Sequence, residues 1–260
     1  MPNWANTNII FFSNNEKQLQ ELYSVIFYRA PNAYEEDIKP LLNSNSIGSG
    51  WLGAILYELK EINLEQIDKD NIPTDLHCRG WVVFGVDSEL VLEKIPNPYL
   101  QKDKPSWRFE ILTYDAWEPN MKMWDYIIKK HFPDVKFVYR SEEGGNGFYV
   151  NSDYLHLYFD EEYIVDLTID FNNCSESIKN IFKPDGSAGT CDYCEYFEYY
   201  HFQDFCDFLK RNFRDAGEIT TKEDAEKEIK RITDAFASEN NSDSYCYINT
   251  FDTPEGHYGL

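Results

Sequence analysis

The sequence predicts an α+β protein, and three observations carry that prediction. Short apolar segments, several with period-2 alternation, recur through the first 170 residues. Two stretches of helical period, Glu16 to Tyr28 and Pro119 to His131, interrupt them. Beyond residue 171 the pattern turns helical and rich in aromatics. With 260 residues, 42% hydrophobic and 17% aromatic, the chain can bury a sizeable core.

Taken in order, Asn8 to Ser13 reads as a buried strand, and Asn14-Asn15 offers a helix cap. Leu19, Leu22, Tyr23, Ile26 and Phe27 then line one face of a helix. Residues 31–79 are less regular. Gly80 to Val86 and Trp107 to Tyr114 are strands, and Pro96, Pro98 and Pro105 enforce a loop between them. Pro119 opens a helix carrying Met121, Trp124, Ile127, Ile128 and His131. Val135 to Tyr139 is the next strand, and Gly144-Gly145-Asn146-Gly147 turns into Phe148 to Asn151, Leu155 to Phe159 and Tyr163 to Ile169. The resulting β-α-β-β-α-β order is that of a split β-α-β, ferredoxin-like antiparallel sheet with extra strands, helices on one face. The name describes a shape only, since no cluster-binding cysteine spacing is present.

The rest predicts a helical C-terminal extension: a short helix at Ser177 to Phe182, a long aromatic one from Tyr193 to Phe213, and a third at Thr220 to Ala237. The third starts with a capping-box pattern at Thr220 and Glu223, and Ser242 to Phe251 returns as an edge strand. The expected organisation is a sheet domain over residues 1–170 and an acidic, aromatic-rich helical extension over residues 171–260, packed on the sheet.

Charge narrows the function classes. The chain has 46 acidic and 24 basic residues, a net charge of −22. Such a surface repels nucleic-acid phosphates and anionic lipid, so neither direct nucleic-acid binding nor membrane association is expected. Residues 1–150 hold 22 acids and 15 bases; residues 151–260 hold 24 and 9. Residues 153–207 carry 13 acids against Lys179 and Lys183 alone. Met1 to Phe12 shows no basic stretch ahead of its apolar run, and six sparse cysteines suit reduced thiols, so a cytoplasmic location is expected.

Four segments carry a family resemblance: Pro2-Asn3-Trp4-Ala5-Asn6, Cys78-Arg79-Gly80-Trp81, Thr113-Tyr114-Asp115-Ala116-Trp117-Glu118-Pro119 and Ser141-Glu142-Glu143-Gly144. In order and spacing they resemble the YubB ferredoxin-like family of bacterial plasmids, phages and other mobile elements. The family pattern commonly has cysteine at the place of Ala5 and proline at that of Asn120. The resemblance spans roughly residues 1–170 and implies a fold and a setting. It implies no catalytic residues, because the family is of uncharacterised function.

Candidate chemistry is sparse. Cys191, Cys194, His201 and Cys206 resemble a zinc knuckle in residue type, but a helix from Tyr193 onward would carry three of them apart, so no metal or cofactor is expected. Cys191-Asp192-Tyr193-Cys194 has the form of a redox pair, set among acids that raise thiol pKa. No hydrolase, phosphate-loop or zincin motif occurs, and no catalytic residue is selected. Trp117 is expected to staple the following helix, with Glu118 at its positive end. Arg79, Trp81, Glu142 and Glu143 form a candidate ligand site, with a surface ion pair as the alternative.

Two functions follow. One is a non-enzymatic acidic protein that binds a basic protein partner through Asp160, Glu161, Glu162, Asp192, Glu195 and Glu198, as a DNA-mimic-like antagonist on a mobile element would. The other is a small-molecule-binding or catalytic domain that uses the open face of the sheet.

Overall fold

The computed structural model describes residues 4–41, 48–67, 79–84, 89–93, 96–100, 104–145, 147–183, 193–237, 244–254 and 259–260. Two compact units divide the chain: residues 1–154 with 253–260, and residues 155–252. Both are α+β, with antiparallel sheets.

In the first unit, β1 (Trp4–Ser13) runs down the centre of the sheet. It leads into α1 (Glu16–Ser24), capped by Asn15, whose side chain accepts from the Gln18 N–H. The helical path continues through wide turns and α2 (Ala30–Ala33) to Leu41. α3 (Leu52–Glu58) follows, then the short strands β2 (Gly80–Val82) and β3 (Val91–Glu93). Both pair with the long β4 (Ser106–Ala116), near its opposite ends. α4 (Met121–His131), β5 (Lys136–Glu143) and β6 (Phe148–Asn151) complete the unit. The strand order is β2-β4-β1-β5-β6, antiparallel throughout.

Period-2 alternation decides what this sheet buries. Ile9 and Phe11 of β1, Phe109 and Ile111 of β4, and Phe137 and Tyr139 of β5 share one core with Leu19 and Leu22 of α1 and with Trp124, Ile127 and Ile128 of α4. The two helices therefore cover the same face. Phe11 lies at its centre, 5.2 Å from the rings of Phe109 and Trp124 and 5.7 Å from Phe137. Its burial alone is worth about 1.5–3 kcal/mol. On the other face Phe12 is covered by Tyr99, whose hydroxyl donates to Asp153 Oδ1 at 2.5 Å. That cover reaches only one end of the sheet.

The second unit departs from the expected helical extension. β7 (Tyr163–Asp170) is the middle strand of a second sheet, paired with β8 (Tyr193–Tyr200) and β9 (Tyr245–Thr250) and with no strand of the first. The division accordingly falls at 154/155 and not at 170/171. Residues 155–159, expected as a strand, form turns and bends. The long helix expected over Tyr193 to Phe213 is a strand followed by α6 (Phe202–Asn212), the two meeting at His201 in extended backbone. α5 (Glu176–Ile181) and the edge strand β9 lie where the sequence places them. The cap of α7 (Lys222–Ala237) is one residue further on than expected: Asp224 N donates to Thr221 Oγ1, and Thr221 N to Asp224 Oδ2, each at 3.2 Å. Inward residues Tyr163, Val165, Leu167, Ile169, Cys246 and Ile248 pack with Phe205, Phe208 and Leu209 of α6 and Ile232 and Phe236 of α7.

Candidate functional site

The segments singled out in the sequence converge at one end of the first sheet. Their register is direct: Ala5 pairs with Asp115, and Asp115 with Gly80; Asn6 pairs with Tyr114 and Glu142, and Tyr114 with Trp81; Thr7 pairs with Thr113 and Ser141. Alternate rows point to opposite faces.

Towards the helices lies a buried polar cluster. Asp115 is fully buried; Thr113 Oγ1 donates to its Oδ2 at 2.6 Å and Asn120 Nδ2 to its Oδ1 at 2.5 Å. Thr7 and Ser141 share a hydrogen bond of 2.8 Å beside it. Burial pushes the Asp115 carboxyl up to about 6, against the pull of these donors. Gly80 is the residue that leaves room for this carboxylate. A Cβ there would lie 2.4 Å from Asp115 Oδ1 and 2.7 Å from the Tyr114 carbonyl oxygen. A carboxyl titrating near 6 suits acid–base chemistry, yet Asp115 is sealed on the far side of the sheet from the open face.

Away from the helices, the same strands present an open face. Residues Trp81, Tyr114, Asn6, Glu142 and Tyr149 form one row across five strands, about 19 Å at the usual strand spacing. The next row brings Leu112, Asn8 and Arg140. Asn6, Asn8, Leu112, Tyr114, Arg140 and Glu142 line a shallow depression of about 230 Å³. Trp4 and Trp81 stand at its rim with ring centres 4.7 Å apart. Glu110, one row further along, is held above the usual carboxylate range by burial, against the pull of Arg108 and Arg140. This arrangement offers aromatic faces for stacking, two amides for hydrogen bonding, and one charge of each sign.

Of the residues expected to form a ligand site, Trp81 and Glu142 share this face. Glu143 does not. It points to the helix face, where it is buried and accepts from Gly145 N at 2.9 Å, closing the hairpin turn. Arg79 is exposed at the head of β2, and its carbonyl accepts from Ala116 N. Three strand spacings, about 14 Å, separate β2 from β5, so Arg79 and Glu142 stand on well-separated strands. Trp117 does not staple a helix either. It is half exposed in left-handed backbone (φ 74°), and Asn120 is the residue that precedes α4.

Five of the six acids of the expected partner face lie among the described residues, and they are scattered. Glu162 pairs with Lys222 and accepts from Phe202 N at the start of α6. Glu195 and Glu198 differ by an odd number of positions and so project from opposite faces of β8. Glu198 accepts from the Tyr196 and Tyr200 hydroxyls, Glu195 from Tyr193. Asp160 is exposed and Glu161 partly buried, while Asp192 lies outside the described residues. Cys191 lies outside them too. Cys194 sits on the inward face of β8 and Cys206 is buried in α6, where burial raises its thiol pKa; His201 reaches Asp204 at 3.0 Å. Among the described residues no group of three or more His, Cys, Asp or Glu is placed to hold a metal ion, and no helix is long and apolar enough to cross a membrane.

Asn6, Asn8, Tyr114 and Arg140 belong to the open face although the sequence reading did not select them. The signal was present in the alternation of Asn6 and Asn8 with the inward Thr7 and Ile9. Asp115 had no such signal, because nothing local distinguishes a buried acid from one in a loop. Comparison with family models, with curated proteins and with solved structures finds no match for the chain.

Proposed function

We propose that the chain is a non-enzymatic binding protein whose first unit is a ferredoxin-like sheet of the YubB kind, and that the open face of this sheet takes a small planar ligand. The observation that carries the reading is the row Trp81–Tyr114–Asn6–Glu142, with Arg140 beside it: stacking surface, amides and paired charge on four adjacent strands. Planar rings with polar edges, such as nucleobases, use those contacts: stacking on an indole or phenol, edge hydrogen bonds to amide and carboxylate. A polyanion is disfavoured by the net charge of −22.

The ferredoxin-like assignment is supported by the order β2-β4-β1-β5, by a helix between β1 and β2 and another between β4 and β5, and by their common face. The YubB-like assignment is supported by the convergence of the resembling segments on one sheet end, with Gly80 fitted to Asp115. Free thiols at Cys206 and Cys246 support a reducing, cytoplasmic setting. An acidic antagonist using the six named acids has less support, since the described ones do not share one face: Glu195 and Glu198 project from opposite sides of β8 and Glu162 pairs with Lys222.

The test is a titration of the full chain with free adenosine, guanosine, cytidine and uridine, read by tryptophan fluorescence and by amide chemical shifts. At least one should quench the Trp4–Trp81 emission and shift the amides of Asn6, Tyr114 and Arg140. Tyr114→Ala and Arg140→Ala should each weaken that binding about tenfold. No response to any nucleoside, or shifts confined to other strands, would overturn the proposal.

A further inference from the structure

The outward face of the second sheet is built differently from the open face of the first. Phe197 of β8 and Tyr247 of β9 both pair with Asp166 of the central β7, so the carboxylate stands between two rings. Each ring is 60% exposed, the highest exposure of any large apolar side chain among the described residues. Tyr245 lies 5.2 Å from the Tyr247 ring and Tyr199 lies 5.5 Å from that of Phe197, extending the aromatic surface. The charged side chains in these outward rows are Asp166, Asp170 and Glu195; none is a lysine or arginine. Asp166 is partly buried, its hydrogen bond comes from Tyr245, and no cation pairs with it among the described residues.

From this geometry we propose that the face docks a basic segment of another protein, with an arginine side chain laid against Asp166 between Phe197 and Tyr247. Charge and shape select this occupant. A guanidinium is planar, stacks on aromatic rings and pairs with a carboxylate through its fork. An apolar partner would bury Asp166 without a counter-charge, leaving the Tyr245 hydrogen bond as its compensation. A second copy of the chain docked through the same face would bring Asp166 and Glu195 against their own counterparts, a like-charge contact. The proposal concerns the second unit alone, so it stands or falls independently of the ligand assigned to the first.

The probe is a synthetic decapeptide of alternating arginine and threonine, with a counterpart in which neutral citrulline replaces arginine. Binding to the full chain is measured at 0.15 M salt by titration calorimetry and mapped by amide chemical shifts. The arginine peptide should shift residues 164–168, 195–199 and 245–249, and the citrulline peptide should not bind. Asp166→Asn and the charge-preserving pair Phe197→Ser with Tyr247→Ser should each weaken binding at least tenfold. Asp204→Asn with Asp207→Asn, which removes two exposed acids of α6, should weaken it no more than about twofold. If the double serine variant unfolds, the charge-preserving Phe197→Ser alone at the same exposed position gives the same reading. Equal losses in the α6 and Asp166 variants, or full binding by the aromatic variant, would show attraction by diffuse charge and overturn the proposal. A wild-type dimer in sedimentation velocity that Phe197→Lys dissociates would assign the face to self-association and overturn it as well.

Discussion

In the first sheet, β1 is flanked on both sides by long strands, and its inward residues meet two helices of clear amphipathic period. In the second, β7 is the only strand with two neighbours, and it is buried on both faces at Ile164, Val165, Leu167, Thr168 and Ile169. Each sheet packs helices on one side and leaves aromatics on the other. The outward residues differ in kind. The first sheet shows tryptophans, amides and an Arg140–Glu142 combination, while the second shows mainly tyrosine and phenylalanine, with acids as its only charged side chains among the described residues. The same architecture therefore presents two recognition chemistries, set by the residues at alternate positions of a few strands.

The contrast breaks most visibly in the cores, which share no residue. Phe11→Ala is expected to cost the first unit about 3–5 kcal/mol. Hydrogen exchange should show the loss in β1, β4 and β5 and leave protection in β7 unchanged; equal loss in both sheets would mean one cooperative core.

Next in size is a pH effect confined to the first unit. Folded Asp115 holds its proton up to about pH 6, whereas an unfolded aspartate releases it near 3.8. The native state binds more protons between those values, so stability falls by about 3 kcal/mol as pH rises through that window and is level above it. Denaturant midpoints measured from pH 4 to 7 should show this slope in the wild type and lose it in Asp115→Asn. Glu61 acts in the opposite sense. Burial raises its pKa, but donors from Lys130, Tyr126 and His131 outweigh that and bring it to about 2. Its contribution is complete above about pH 4.5 and is lost as pH falls towards 2.

Gly80→Ala sharpens the comparison further, because the clash is with backbone and with Asp115. It should lower first-unit stability by about 1–3 kcal/mol, read in the same denaturant curves. The smallest effect on folding is expected at the two outward faces. Tyr114→Ala and Phe197→Ser should each change stability by no more than about 0.5–1 kcal/mol while removing different binding activities. Loss of both activities from either variant would erase the distinction between the faces.

The first unit was legible because its two patterns stayed apart. Residues 9–12 are a short apolar run and residues 107–114 alternate, whereas Leu19, Leu22 and Ile26 recur at helical spacing. From Tyr193 to Phe213 the patterns run together. Cys194, Tyr196 and Tyr200 face inward at strand spacing, and Phe205, Phe208 and Leu209 follow at helical spacing. With an aromatic at almost every second or third position, a continuous helix fits the letters as well as a strand and a helix. No glycine or proline marks the junction at His201. The candidate site was half legible for a related reason. Trp81 and Glu142 were recognised by type, but Asn6, Asn8 and Arg140 join them through strand register, a long-range property that no single segment encodes.

The chain leaves the first unit after Tyr154 and re-enters it at Thr253, and the carbonyl of Gly259 accepts from Phe137 N at 3.0 Å. Within the second unit the outgoing and returning strands are hydrogen-bonded neighbours: Tyr163 pairs with Thr250, and Phe251 N donates to the Glu162 carbonyl. While that ladder holds, the excursion costs the first unit the entropy of a loop of about twelve residues; once it melts, the loop lengthens to about a hundred. Chain statistics put the difference at about 1–2 kcal/mol. Coupling between the units is thus reciprocal: melting the inserted unit loosens its host by that amount, and unfolding the host releases the ends of the insert and loosens it equally.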